Sequence, residues 1–92
     1  MPQLELGQLV ISTAGRDKGK YMLVIKILDS NFVHVADGEL RKVEKPKKKK
    51  IIHLKALNKK SDYIAQKLES KRKIYNEEVR KALEELLDGD SV

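Results

Sequence analysis

The sequence predicts an α+β fold: a small β-barrel over about residues 1–57, followed by a helical C-terminal segment over 58–92. Three observations predict it. Short runs of β-branched and large apolar residues recur through the first half, separated by turns too short for crossover helices, so the strands should pair antiparallel and curl into a barrel. After Asn58-Lys59-Lys60 the apolar period changes from two to about 3.6. With 92 residues, 40% of them apolar, the chain can build one modest core but not two strong ones.

The first strand, from about Gln8 to Ser12, holds Leu9, Val10 and Ile11 in succession. Such a run selects no single buried face and implies cover on both sides. The second strand, Tyr21 to Leu28, alternates better, with Lys26 outward and Leu23, Ile25 and Ile27 inward. Asp29-Ser30-Asn31 gives a short turn, and Phe32-Val33-His34-Val35 reads as a third strand ending at Asp37-Gly38, a strong hairpin signal. Glu39-Leu40-Arg41-Lys42-Val43 answers as the fourth. The following Lys45-Pro46-Lys47-Lys48-Lys49-Lys50 should be exposed and mobile, because proline removes a donor and the lysines repel one another. Ile51-Ile52-His53-Leu54 returns to the strand pattern and would close the barrel.

Ser61 is an N-cap candidate with Asp62 in the first turn, predicting a short helix over about 61–71 with Ile64, Ala65 and Leu68 on one face. Asn76 is a second N-cap candidate, followed by Glu77 and Glu78 where the helix dipole favours negative charge. Val79, Ala82, Leu83, Leu86 and Leu87 form the stripe of a helix over about 76–88 that Gly89 stops. That stripe needs a partner. The over-apolar first strand offers one; the other use for it is a protein-binding or dimerisation face.

The net charge is +6, and its distribution says more than its total. Through residue 60 there are 14 Lys and Arg against 6 Asp and Glu, a net +8, whereas from residue 61 there are 6 against 8, a net −2. A basic first half facing a near-neutral tail points to a polyanion partner for the barrel. The absence of cysteine excludes disulfides, thiolate metal sites and a cysteine nucleophile, and fits a reducing compartment, so the cytoplasm is the expected location. No stretch approaches the roughly 20 apolar residues that span a bilayer, and the N-terminus lacks the pattern of a signal peptide, so no membrane partner is expected.

Between the first two strands lies Ala14-Gly15-Arg16-Asp17-Lys18-Gly19-Lys20, a loop with two glycines and three cations. Gly15 and Gly19 can turn the chain without a Cβ clash and bring its backbone close to a partner, with Arg16, Lys18 and Lys20 at the tip. The loop is not a nucleotide-binding P-loop, because its glycines are one residue too close and Tyr21 stands where Ser or Thr must reach magnesium. His34 and His53 are isolated from other metal-ligating residues, so no metal or cofactor is expected. The carboxylates sit in turns or beside lysines and read as solvated or capping charge. No nucleophile carries a local signature, so no catalytic residue is assigned and the protein is not expected to be an enzyme.

An apolar strand opened by Gly7, then Gly15 followed by Gly19-Lys20, then a long apolar strand, resembles the KOW motif of ribosomal proteins and NusG-type transcription factors. With Asp37-Gly38-Glu39-Leu40-Arg41-Lys42-Val43 and the lysine run to Leu54, the first 55 or so residues look most like the fourteen-e family of large-subunit ribosomal proteins and small bacterial KOW-domain relatives. Met22 departs from it, standing where many such motifs carry a further glycine. The resemblance implies an SH3-like (KOW-type) barrel that binds RNA, most plausibly ribosomal RNA.

The expected RNA-binding set is Arg16, Lys18 and Lys20 in the loop, Arg41 and Lys42 in the fourth strand, and Lys45, Lys47, Lys48, Lys49 and Lys50, with Gly15 and Gly19 shaping the loop backbone. Lysine and arginine hold phosphates without reading sequence. At 4% aromatic residues the chain lacks the rings of a sequence-reading platform, and Tyr21 and Phe32 read as core before they read as stacking groups. The alternative function is a protein-interaction module that docks on the transcription or translation machinery through the barrel or the last helix, with ribosomal or transcription-machinery proteins as partners.

Overall fold

A computed structural model describes residues 4–88. The elements are β1 (Gln8–Ser12), β2 (Tyr21–Ile27), β3 (Phe32–Ala36), β4 (Lys47–Lys50), a 3-10 turn (Ile51–His53), β5 (Leu54–Lys60), α1 (Asp62–Glu69) and α2 (Asn76–Asp88). The strands form one sheet in the order β4-β3-β2-β1-β5, every pairing antiparallel. It is a small barrel-like sheet followed by two helices.

Neighbouring residues of a strand face opposite sides of a sheet, and in β1 and β2 both sides are covered. Leu9 and Leu23 join Ile64, Ile74, Val79, Ala82 and Leu83 in a core shared with the helices. Val10, Met22 and Val24 join Val33, Val35 and Leu54 in the barrel interior. The consecutive apolar residues of β1 thus serve two cores, and Val79, Ala82, Leu83 and Leu86 of the α2 stripe are spent on the outer one, while Leu87 stays 40% exposed. Met22, where many KOW motifs carry glycine, pairs with Val10 and fills the barrel.

The alternation read into β2 ends early. A register shift between Val24 and Lys26 resets the pleat, so Ile25 packs against the helical core while Ile27 is 45% exposed instead of inward.

The fourth strand is not Glu39–Val43. Its backbone donors go elsewhere: the Asp37 carboxylate accepts the amides of Glu39 and Arg41, both at 2.8 Å, and Asn76 Oδ1 accepts that of Val43 at 2.8 Å. The segment is therefore a pinned loop, and the lysine run takes the edge of the sheet as β4, paired in register along β3. Expected to be mobile, Lys47–Lys50 is ordered because each lysine is supported by a β3 residue across the ladder. Ile51–His53 is likewise not strand. The chain must cross there from one edge of the sheet to the other, and the 3-10 turn makes that swing before β5 pairs with β1.

Gly38 sits where this loop meets α2. Its φ is +79°, a Cβ would lie 2.3 Å from the Asn76 carbonyl oxygen, and its own carbonyl accepts Arg80 Nη1 at 2.6 Å. Only glycine allows that approach.

Ser61 caps α1, its hydroxyl accepting the Ile64 amide at 3.2 Å. Tyr75, not Asn76, holds the capping position of α2: its carbonyl accepts the Glu78 and Val79 amides, and the Glu78 carboxylate reaches back to the Tyr75 amide at 2.9 Å, one half of a capping box. Asn76 is diverted to Val43 and to Glu44. At the other end Lys59 Nζ donates to the Leu86 carbonyl at 2.7 Å, a cation at the negative pole of the helix. Gly89, the expected stop, lies outside the described residues.

Glu78 also ties the helices together, accepting Lys67 Nζ at 2.8 Å and the Tyr63 hydroxyl. The Lys67 hydrogen bond, then that of Tyr63, hold its carboxyl down at about 2, against an ordinary 4.5. A carboxyl depressed by folding contributes stability above its unfolded pKa and loses it as pH falls through its folded one. The urea midpoint should therefore drop between pH 4.5 and about 2, and Glu78→Gln should flatten that part of the profile. Leu23→Ala, which opens the core under both helices, should cost about 2–5 kcal/mol in urea denaturation.

Candidate nucleic-acid interface

The β1–β2 loop is a built structure. The amide of Gly19 donates to the Ser12 carbonyl at 2.8 Å and that of Ser12 to the Lys20 carbonyl at 3.0 Å, closing the base; Lys18 to Gly15 and Lys20 to Asp17 make turns within it. Gly15 and Gly19 adopt φ of +84° and +87°, the left-handed region that disfavours a side chain.

Asp17 turns inward and is 5% exposed. Its Oδ1 accepts the Ser12 hydroxyl at 2.8 Å and Lys49 Nζ at 2.7 Å, and the same ammonium donates to the Ala14 carbonyl at 2.7 Å. Burial pushes the Asp17 carboxyl up, but the hydrogen bonds from Lys49 and Ser12 and the charge of Lys49 outweigh it and hold the group below its ordinary 3.8. The loop is thereby pinned from beneath, and Arg16, Lys18 and Lys20 stand exposed upon it.

The pleat sorts the lysine run. Lys47 and Lys49 pair with Val35 and Val33, and Lys48 and Lys50 with His34 and Phe32. Paired residues share a face, so Lys47 and Lys49 lie on the side of the barrel core and Lys48 and Lys50 on the outer side. Lys49 is 7% exposed, its charge committed to Asp17. It leaves the set of outward cations and belongs to the scaffold, because only the inward position reaches the loop.

On the outer face the row continues through His34 to Lys26, its neighbour in β2, and Lys48 Nζ stands 4.5 Å from the centre of the Phe32 ring. Periodicity marks Lys26 as outward but cannot place it beside Lys48, since their pairing runs through the β3 register. The role of Asp17 has no sequence signal either, because its partner lies 32 residues away.

Arg41 comes to the loop from the 37–43 segment. With Arg16 and Lys20 it surrounds a cleft of about 280 Å³ floored by Asp17 and Met22 and shared with Asp37 and Leu40. Lys42 and Lys45 are exposed in the connection to β4. Two cationic surfaces result, one around the loop and one across the outer face of β2, β3 and β4. Among the described residues no cluster of His, Cys, Asp and Glu has the makings of a metal site.

A barrel-like antiparallel sheet whose glycine-bounded basic loop joins β1 to β2, backed by a C-terminal helical layer, defines a KOW-type domain of SH3-like form. No model of a protein family matches the chain. Individual relatives do. Large ribosomal subunit protein eL14 of Sulfolobus acidocaldarius is 31% identical over 85 residues, covering 92% of this chain and 81% of that protein. The eL14 of Hyperthermus butylicus is 33% identical over 90 residues, 96% of this chain and 85% of the relative, and that of Saccharolobus islandicus 35% identical over 85, 92% and 81%. The chain belongs to the eL14 family of large-ribosomal-subunit proteins.

Lys49→Met strands a buried carboxylate and should cost about 3–5 kcal/mol in chemical denaturation, whereas Lys49→Met combined with Asp17→Asn should recover part of it. The Asp17 contribution, present above its unfolded pKa near 3.8, should fade as pH falls below that value.

Proposed function

We propose that this protein is a non-enzymatic constituent of the large ribosomal subunit that binds structured ribosomal RNA through phosphate contacts, with ribosomal proteins as its neighbours. The observation that carries the reading is the sorting of cations outward on two surfaces of an eL14-family barrel. Arg16, Lys18, Lys20 and Arg41 serve the first surface, and Lys48 and Lys50, with Lys26 beside them, the second. Lys42 and Lys45 extend it along the connection, and Lys47 sits at the margin of the inner face.

Ammonium and guanidinium groups on such surfaces gain affinity by releasing counterions condensed on the RNA and read its shape rather than its bases. The α2 surface carries Glu77, Glu84, Glu85 and Asp88 against Arg80 and Lys81, a net negative balance that favours the barrel as the side that meets the RNA. Docking of a partner on the α2 stripe is disfavoured, because Val79, Ala82 and Leu83 are already buried against β1 and β2.

Lys48→Gln with Lys50→Gln should weaken binding to large-subunit ribosomal RNA and to a random RNA of equal length alike, and reduce the salt slope by about two between roughly 50 and 200 mM salt. Filter binding or fluorescence anisotropy reads both quantities. Unchanged affinity and slope in the double variant would overturn the assignment of these lysines.

A further inference from the structure

One apolar feature of the cationic face is left unused by phosphate binding. Ile52, on the 3-10 turn, is 79% exposed. A lone exposed aliphatic is ordinary, but this one walls a cavity of about 300 Å³ together with Ser30, Asn31, Phe32, Lys50 and Ile51. The volume is at the small end for ligand sites and suits a flat ring rather than a helix or strand.

The cavity is preformed. The Ile51 amide donates to the Asn31 carbonyl at 2.9 Å, tying the 3-10 turn to the β2–β3 turn. The Asp29 carboxylate accepts the backbone amides of Asn31 and Phe32 at 2.7 and 2.8 Å, which fixes the β2–β3 turn. Phe32, Ile51 and Ile52 give the lining its apolar surface, and the Ser30 hydroxyl and the Asn31 side-chain amide are its neutral polar groups.

We propose that this cavity is a stacking subsite for one unpaired nucleobase of a bound RNA, with Lys50 at its rim and Lys48 next along the same face holding the flanking phosphates. The inference rests on the RNA-binding reading above and deepens it. A base presents apolar faces and a polar edge, matching the apolar lining and the polar groups of Ser30 and Asn31, and its backbone is anionic, matching the two lysines. Phe32 and Lys50 are paired across the ladder, so ring and cation are presented on one face at a fixed spacing. Lys48, its ammonium over the Phe32 ring, adds a second cation beside the cavity. An apolar side chain of a protein would fill the walls and leave both lysines without a counter-charge.

The probe is an RNA hairpin with a single bulged 2-aminopurine, compared with the same hairpin in which that base is paired. The wild-type protein should bind the bulged form about tenfold more tightly, since stacking of a base is worth about that factor, and should raise its fluorescence, because the base leaves the neighbouring bases that quench it. Ile52→Ser, at an exposed position that supports no core, should abolish the preference and the fluorescence rise while leaving affinity for the paired hairpin unchanged. Equal affinity for the two hairpins, or a preference that survives Ile52→Ser, would overturn the subsite; if the paired hairpin still binds, RNA binding stands and the cavity is left to an apolar protein side chain. Failure to bind either hairpin at about 50 mM salt, where phosphate contacts are strong, would overturn both readings.

Discussion

The pleat of a single sheet is the constraint on which this structure depends. Because successive side chains alternate between faces, Leu9 and Val10 go to different cores, as do Met22 and Leu23. A sheet with apolar residues on both faces of its central strands cannot stand alone in water; the two helices supply the missing layer. The helical segment is thus a requirement of the β1 and β2 sequences rather than an appendage to them.

The same alternation governs charge. Four consecutive lysines look equivalent along the chain, yet in β4 they fall on opposite faces, and their consequences diverge. Lys49 enters the protein and is stabilised there by the Asp17 carboxylate and the Ala14 carbonyl, so it shapes the loop from which Arg16, Lys18 and Lys20 project. Lys48 and Lys50 face solvent beside Phe32 and His34. A buried ion pair of this kind is weak as a source of net stability, though removing one partner alone is costly. Here it couples the loop to the far edge of the sheet, aligning the cationic loop with the strand that carries the outward lysines.

Much of the fold was legible because its signals are local. The β1 run, the change of period after Lys60 and the stripe of α2 each depend on neighbouring residues, and the family suggested by the motif of Gly15, Gly19 and Lys20 is the one to which the relatives belong. What misled was long-range. Glu39–Val43 has strand propensity, but Asp37 and Asn76 claim its amides, and half of that competition lies 33 residues away. The lysine run has the composition of a linker, but β3 offers an unpaired edge and Asp17 a counter-charge, and neither is visible in the run itself. The basic candidates were legible as a composition; which of them face outward was set by register.

If the pleat divides the lysines into a scaffold set and the proposed RNA-facing set, their reactivity toward an acylating reagent, read by mass spectrometry with and without large-subunit ribosomal RNA, should differ accordingly. Lys49 should be unreactive in the free protein, and it is expected that Lys18, Lys20, Lys48 and Lys50 react freely and are protected by the RNA, and that Lys71, Lys73 and Lys81 on the helical side stay reactive throughout. Lys49 reacting as fast as Lys48 and Lys50, or protection concentrated on the helical lysines, would contradict that division.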